Sequence, residues 1–361
     1  MTDTGTQLKI QTKQHFKMLD GLRGLAAIAV VVFHFMEIAV PDYTKSFIAH
    51  AYLAVDFFFC LSGFVIAYAY DTKLADIGIW TFIKLRLIRL HPLVIIGSVI
   101  GILAFVFDPF SNLYQKYTGN LLLMFITSCL MIPYALVRER YFNNFHLNPP
   151  TWSLFWEYIA NIVYALVLVR INKKMLWLLV IIAAALLVYE AHRSTNLSVG
   201  WSGDNIMGGG IRMFYSFLAG MLVYRLKWVI NSRLGFIAIG LMLLVTFFIP
   251  FRNELNPIVE PIVVIFYFPF LIALGAGAQL SASSTKICKF SGDISYPLYM
   301  VHYPFIWLFM SYVEAKKPSL NEMAGITAIG TLLLIVLAYA VMKYLDEPVR
   351  KRLNNLVRRR G

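Results

Sequence analysis

The sequence predicts an all-α polytopic membrane protein, with about ten transmembrane helices and one further helix, within 119–137, that is re-entrant or only partly inserted. Three observations predict this class. Of the 361 residues, 59% are hydrophobic and only 14% are charged, whereas a soluble protein carries roughly a quarter charged residues. The mean hydropathy is +0.69. Long apolar runs recur, each able to cross ~30 Å of hydrocarbon at ~20 residues per pass, and their continuity is typical of helices rather than of alternating barrel strands.

The apolar runs give the candidate helices in chain order. They cover residues 22–40, 51–70, 91–107, 119–137, 151–169, 176–191, 211–226, 234–251, 258–280, 296–313 and 323–343. The run at 119–137 is the weakest, because it contains Thr127, Ser128 and Pro133 and leads into the polar stretch VRERYFNNFHLNPP.

The basic residues indicate the topology. Most of the 32 Lys and Arg lie in short segments between apolar runs, as the positive-inside rule requires. If all these segments are cytoplasmic, each interval between them holds an even number of passes; the interval 90–169 holds three runs, so 119–137 is the run that does not cross. We therefore predict that both termini are cytoplasmic. A single membrane domain spans 1–361, with a polar tail at 1–17 and a basic tail at 346–361.

The charge and the cysteines exclude two classes of site. The net charge of +13 follows the loops and does not indicate a nucleic-acid partner. Cys60, Cys129 and Cys288 lack the paired spacing of a metal centre or a disulfide, so we predict no bound metal.

The first apolar run carries two ionisable residues, Arg23 and His34, eleven positions apart. That spacing is three helical turns plus ~20°, so both lie on nearly the same face, ~16 Å apart along the axis. Ionisable groups at such depth usually face the bundle interior or a water-filled cavity. Either residue has a simpler explanation, because Arg23 can extend to the membrane surface and His34 can be a packing residue with a satisfied hydrogen bond. Their shared face favours a site.

Later runs carry further polar residues. Arg86 and Arg89 project from one face at the start of a helix, where Pro92 suits the first turn. Two guanidinium groups fit phosphate oxygens, although ordinary cytoplasmic charge explains them too. Glu157 belongs to a polar stripe on the fifth run and is expected to face the cavity of His34, unless it only ties helices together by a hydrogen bond.

Six motifs in order resemble the acyltransferase-3 family of integral membrane O-acyltransferases. They are LDGLRGLAAIAVVVFHF, with ten residues between the arginine and the histidine, then AVDFFFCLSGFVIAY, KLRLIRLHPL, PTWSLFWEYIANIVYAL, SGDISYPLYMVHYPF and LDEPVRKRL. Together they extend from residue 19 to residue 353, nearly the whole chain.

The resemblance implies an acyltransferase, of the class that transfers groups other than amino-acyl groups, in the inner membrane of a bacterium. The donor would be cytoplasmic acyl-CoA, acetyl-CoA by default, and the acceptor a hydroxyl of a carbohydrate or a related small molecule. The expected catalytic residues are His34 as general base, Arg23 and Glu157. The expected donor-binding residues are Arg86, Arg89 and Arg23, and the expected acceptor-binding residues are Asp56, Ser62, Trp152, Tyr299 and His302.

Alternatives remain for these residues. Asp56 could orient a sugar hydroxyl or pair with a basic residue, Ser62 with Gly63 could allow close helix packing, and Trp152 could anchor a membrane interface. Ser62 is not predicted as a nucleophile, because CLSGF does not fit G-x-S-x-G. At the level of the whole protein, a transporter or flippase could use the intramembrane histidines and Glu157 as a proton relay, but the sequence shows no repeated halves.

Overall fold

The computed structural model describes residues 16–358, and within that range no strand forms. The α-helices of seven or more residues are α1 Lys17–Ala39, α2 Ala54–Tyr70, α3 Ile79–Val106, α4 Leu121–Cys129, α5 Thr151–Val163, α6 Lys173–Arg193, α7 Ile206–Arg225, α8 Phe236–Phe247, α9 Asn256–Ile262, α10 Phe268–Gly277, α11 Ala282–Val301, α12 Tyr303–Lys316, α13 Leu320–Val341 and α14 Glu347–Arg358. Wider π-helical turns extend α5 and join α9 to α10 and α13 to α14; they cover Tyr164–Leu168, Val263–Tyr267 and Met342–Asp346. The predicted N-terminal tail lies outside the described residues, except for its last two positions.

Eight helical segments in the described range are long and apolar enough to cross a membrane. They confirm an integral, all-helical membrane protein, whereas the predicted count of about ten remains a prediction. Two of the predicted spans do not meet the length and composition criterion. The helix α8 has only 12 residues, and the run at 296–313 is divided between α11 and α12 at His302.

The segment at 119–137 forms only the nine-residue α4, which is ~14 Å long. The helices α3 and α5 run antiparallel. The ring of Phe82, near the start of α3, lies 5.7 Å from that of Tyr164, just after α5, whereas Gly97, further along α3, lies against Asn148, just before α5. The chain between α3 and α5 therefore leaves and returns at the same end of the bundle. This geometry agrees with the prediction that residues 119–137 do not cross.

The connection after α4 is held by buried polar groups. The guanidinium of Arg140 lies over the rings of Phe105 and Trp307 and donates a 2.7 Å hydrogen bond to the carbonyl oxygen of His146. The ring of His146 is in turn bonded to the carbonyl of Tyr134. Burial, and after it the positive charge of Arg140, lowers the pKa of His146 to about 4. The folded connection therefore favours the neutral imidazole.

One helix contact positions the candidate site: α1 and α11 run parallel and touch closely. Backbone contact is possible because glycines lie at the crossing, where a Cβ added to Gly24 would be 2.4 Å from the Cβ of Ser291. The α2–α7 pair is similar, since a Cβ on Gly63 would lie 2.0 Å from the carbonyl oxygen of Phe217. Small residues at helix crossings are typical of membrane bundles, where packing rather than hydrophobic burial holds helices together.

The two ends of the bundle differ. The end called here the basic end holds the N-terminal halves of α1, α3 and α11, with Arg23, Arg86, Arg89 and Lys289. The opposite end, called the distal end, holds His34 and the connection that follows α1. The structure also differs from one detail of the sequence interpretation: α3 begins at Ile79, after Gly78 with φ of 76°, so Pro92 lies inside the helix rather than in its first turn. Membrane helices tolerate such a proline when neighbouring groups satisfy the backbone.

Candidate active site

The imidazole of His34 is held by a carboxylate one turn along α1. Its Nδ1 lies 2.8 Å from Oε2 of Glu37, and the hydroxyl of Tyr43 donates to the other carboxylate oxygen. Burial, and after it the charge of Glu37, raises the pKa of Tyr43, so its phenol stays protonated as the donor. Among the described residues nothing bonds to Nε2 of His34, and the side chain is 20% exposed. A carboxylate on Nδ1 and a free Nε2 are the features of an oriented general base.

The second predicted histidine lies beside the first. The rings of His34 and His302 are stacked with centroids 5.5 Å apart, and Tyr303 meets His34 edge-on at 4.7 Å. His302 is fully buried at the break between α11 and α12. Its Nδ1 faces the carbonyl oxygens of Leu298 and Tyr299, at 3.1 and 2.9 Å, so Nδ1 must carry the proton. Its Nε2 is then an acceptor, and it has no hydrogen-bond partner among the described residues.

Arg23 reaches the same neighbouring helix at the basic end. Its Nε donates to Oγ of Ser295 at 2.8 Å, and a terminal nitrogen donates to the carbonyl of Gly292 at 2.6 Å. Asp20 lies 3.6 Å from it. Arg23 therefore contacts α11 at Gly292 and Ser295. The ring of His34 stacks on His302, which directly follows α11 and lies ten positions after Gly292. The prediction that Arg23 and His34 share a face of their helix agrees with this geometry.

Polar contacts continue between these two points, along α11 and α5. Tyr299 and Ser153 share a 2.9 Å hydrogen bond between their hydroxyl groups. One turn further along α5, Glu157 accepts hydrogen bonds from Ser62, at 3.0 Å, and from Arg86, at 2.9 Å. The sequence predicts that Glu157 faces the cavity of His34 or ties helices together by a hydrogen bond. The structure shows the hydrogen bonds between helices, and a role in the cavity stays a prediction. Glu157 makes no hydrogen bond to His34.

Asp56 and Trp152 belong to a buried ion pair. The carboxylate of Asp56, fully buried, receives Nε and a terminal nitrogen of Arg212, the latter at 2.6 Å. Arg212 also donates to two backbone carbonyls, and its guanidinium lies 5.3 Å from the ring of Trp152. Of the two roles left open for Asp56, the structure therefore favours pairing with a basic residue over contact with an acceptor. Trp152 is only 7% exposed, so it is not an interface anchor.

Arg89 points away from these contacts into an open groove at the basic end. The positive charges of Arg86, Arg23 and Arg350 act on it, together with the negative charge of Glu157. The two arginines of the third motif thus have different surroundings: Arg86 is neutralised by Glu157, and Arg89 has no carboxylate within 4 Å in the described chain.

Three residues that contribute to these contacts were given no role from the sequence. Glu37 follows His34 by three positions, so a carboxylate at helical spacing was a readable signal. Arg212 is a cation inside an apolar run, which also marks a buried partner. Tyr43 follows the helix and could not be placed from spacing alone. No group of three or more His, Cys, Asp or Glu side chains that could hold a metal ion occurs within residues 16–358.

Comparison with known proteins gives a consistent family. The sequence model of an acyltransferase domain family matches residues 16–343. Protein 2 of the picA locus of Rhizobium radiobacter is 34% identical over 190 residues, which are 49% of this chain and 95% of that protein. The O-acetyltransferase OatA of Staphylococcus aureus is 24% identical over 379 residues, which cover 95% of this chain but only 58% of that enzyme's length. No solved structure matches the chain.

Proposed function

Since the chain belongs to the acyltransferase-3 family, we propose that it is a membrane-embedded O-acyltransferase that transfers an acetyl group from cytoplasmic acetyl-CoA to a hydroxyl of a carbohydrate or related small molecule. The observation that carries the proposal is the His34 imidazole, bonded through Nδ1 to Glu37 and open at Nε2. A base with one oriented nitrogen and one free nitrogen suits proton removal from an alcohol.

The proposed reaction is direct transfer, without an acyl-enzyme. Nε2 of His34 takes the proton of the acceptor hydroxyl while the oxygen attacks the thioester carbonyl. The tetrahedral intermediate then breaks its carbon–sulfur bond, and the imidazolium returns the proton to the departing thiolate. The products are the O-acyl ester and free coenzyme A. Glu37 keeps the proton on Nδ1 and stabilises the imidazolium between the two steps.

Arg23 is assigned to holding the donor rather than to the reacting carbonyl. Its position on α1 is ~16 Å along the axis from His34, and its guanidinium is bonded to Ser295 and Gly292 on the basic side. It therefore lies beside the arm of a donor that enters from the basic end. The stripe formed by Ser153, Tyr299 and the carboxylate of Glu157 gives that arm polar neighbours on its way to His34.

The basic end is proposed to face the cytoplasm of a bacterium, with the protein in its inner membrane. Positively charged loops are retained on the cytoplasmic side, and the acyl-CoA donor is made there. The acceptor then approaches His34 from the distal end. The O-acetyltransferase named above supports an acetyl donor and a hydroxyl acceptor. A carbohydrate is the proposed acceptor class, and we assign its binding to His302, whose buried Nε2 has no hydrogen-bond partner among the described residues.

A labelled-donor assay tests the function. Membranes that contain the wild-type chain, His34→Ala or His34→Gln are incubated with radiolabelled acetyl-CoA and an extract of cell-envelope carbohydrate. We expect transfer by the wild type and a loss of roughly 10²–10⁴-fold in both variants, the usual contribution of a general base. Near-normal transfer by His34→Ala would exclude the base assignment. Uptake of a solute by proteoliposomes without any release of coenzyme A would favour a transporter instead.

A further inference from the structure

The open groove at the basic end has a second wall, which the motif analysis did not assign. The C-terminal helix α14 packs beside the start of α3, and the space between them is about 590 Å³. From α14 the groove is lined by Glu347, Arg350, Lys351, Asn354 and Asn355. These positions recur at intervals of three and four, so they form one continuous face of the helix.

The groove carries unpaired positive charge. Arg89, on the α3 wall, and Lys351, on the α14 wall, have no carboxylate within 4 Å among residues 16–358. The acidic residue that lines the groove, Glu347, lies 3.8 Å from Lys343. Arg350 approaches the buried Asp346 through Nε at 3.0 Å, and it is 31% exposed. Cations left without partners on two facing walls indicate that the groove is completed by an anion.

We propose that this groove binds the phosphorylated nucleotide end of the acyl donor, with α14 as its second wall. The inference rests on the proposed function, and it adds Arg350, Lys351 and the two asparagines to the donor site. Arg89 and Lys351 contact phosphate oxygens from opposite sides, and the amides of Asn354 and Asn355 supply donors and acceptors for the base and ribose. The volume lies within the usual range for a small-molecule site, ~300–1,000 Å³.

The groove also lies at the basic end, where the polar contacts that lead to His34 begin. Arg89 and Arg86 are on adjacent turns of α3, and Arg86 is bonded to Glu157 at the start of the stripe that leads to Ser153 and Tyr299. A donor whose nucleotide end occupies the groove can therefore extend its thioester arm past Arg86 toward His34.

The test uses the full-length protein in nanodiscs of phosphatidylcholine, with coenzyme A and adenosine 3′,5′-bisphosphate as probes in titration calorimetry. Arg89→Gln and Lys351→Gln each remove one charge-assisted hydrogen bond. We expect the Kd of the bisphosphate, and the KM for acetyl-CoA, to rise about tenfold or more in each variant. Arg352→Gln is the matched control, because that exposed arginine of α14 does not line the groove.

The outcomes separate the groove from the function. If the wild type binds coenzyme A and transfers acetyl, but Lys351→Gln retains wild-type Kd and KM, the groove assignment is overturned and the function stands. If the wild type neither binds coenzyme A nor transfers acetyl, both proposals fail. A parallel titration in nanodiscs that contain phosphatidylglycerol separates nucleotide from lipid phosphate: unchanged affinity supports the nucleotide site, and loss of bisphosphate binding identifies a lipid headgroup site and overturns it.

Discussion

Replacement of Glu37 by glutamine is the sharpest test of how His34 works. The carboxylate oxygen lies 2.8 Å from Nδ1 of His34, so it fixes the tautomer and faces the positive charge that develops when the base takes a proton. An amide at the same place can donate to Nδ1, which moves the proton to Nε2 and removes the base. Even when the amide oxygen faces the ring, the charge–charge attraction is lost.

The size of the effect follows from the geometry. Two unit charges 2.8 Å apart attract by ~6 kcal/mol at an effective dielectric constant of ~20. The side chains of His34 and Glu37 are 20% and 26% exposed, so solvent weakens this term, and we take about half, ~3 kcal/mol. That corresponds to a fall in kcat of ~10²-fold. The KM for acetyl-CoA should change little, because Glu37 lies at the distal end, away from the donor groove.

The assay is acetyl transfer under saturating donor, with each variant in nanodiscs. Glu37→Asp keeps the charge and should recover part of the rate. Tyr43→Phe is the matched control: it removes the other hydrogen bond to the carboxylate but leaves the carboxylate in place, so we expect a loss of only a few fold. A Glu37→Gln enzyme within threefold of the wild-type kcat would refute the oriented-base reasoning.

Three further predictions concern stability. Gly24→Leu should lower the unfolding temperature in detergent, at a cost of ~1–3 kcal/mol in the free energy of unfolding, because any Cβ there clashes with the neighbouring helix. The control is Gly325→Leu, at a helix position where an added Cβ meets nothing within 4 Å, and it should not lower that temperature. Equal unfolding temperatures of the two variants would contradict the close contact at Gly24. Asp56→Asn should destabilise the folded protein by ~3–5 kcal/mol, because it leaves the buried cation of Arg212 unpaired. Adding Arg212→Met to that variant should restore most of the folded yield, and no restoration would argue against the ion pair. Because the pKa of His146 is about 4 in the folded chain but ~6.5 when unfolded, the unfolded state binds more protons between those values. Acidification from pH 6.5 to 4 should therefore cost up to ~3 kcal/mol, an effect absent in His146→Gln; identical thermal melts of the two proteins across that window would contradict it.

The helical architecture was predictable because hydrocarbon allows few solutions. Long apolar runs must become helices, and basic loops restrict where each run begins. The sequence also predicts that residues 119–137 do not cross, because the parity of the basic segments leaves one apolar run without a partner, and the antiparallel arrangement of α3 and α5 agrees with that prediction. Parity cannot supply the length of a helix. The helix α8 has only 12 residues, and the run at 296–313 divides at His302, two positions before Pro304, which has no N–H to continue the helical hydrogen bonds.

The site was predictable only in part. Helical periodicity placed Arg23 and His34 on one face, and it also contained the spacing of Glu37. It could not show which helix packs against that face, or that Glu157 on α5 pairs with Arg86 at the basic end. Long-range pairs such as Asp56 with Arg212, separated by 156 positions, have no local signature. An isolated cation in an apolar run indicates that a partner exists, but not which carboxylate it is.

The parallel contact of α1 and α11 explains why the proposed phosphate and proton chemistry lie so far apart. Phosphate groups require cations that water can reach, and such cations are inexpensive only near a membrane surface. A general base works best where few competing waters surround it. Two helices that run parallel satisfy both demands at once. Arg23 and His34 are eleven positions apart, and their respective partners Gly292 and His302 are ten positions apart. An antiparallel pair would place each polar group opposite the wrong end of its partner. The parallel direction of α11 relative to α1 is therefore a condition for the site as well as for the fold.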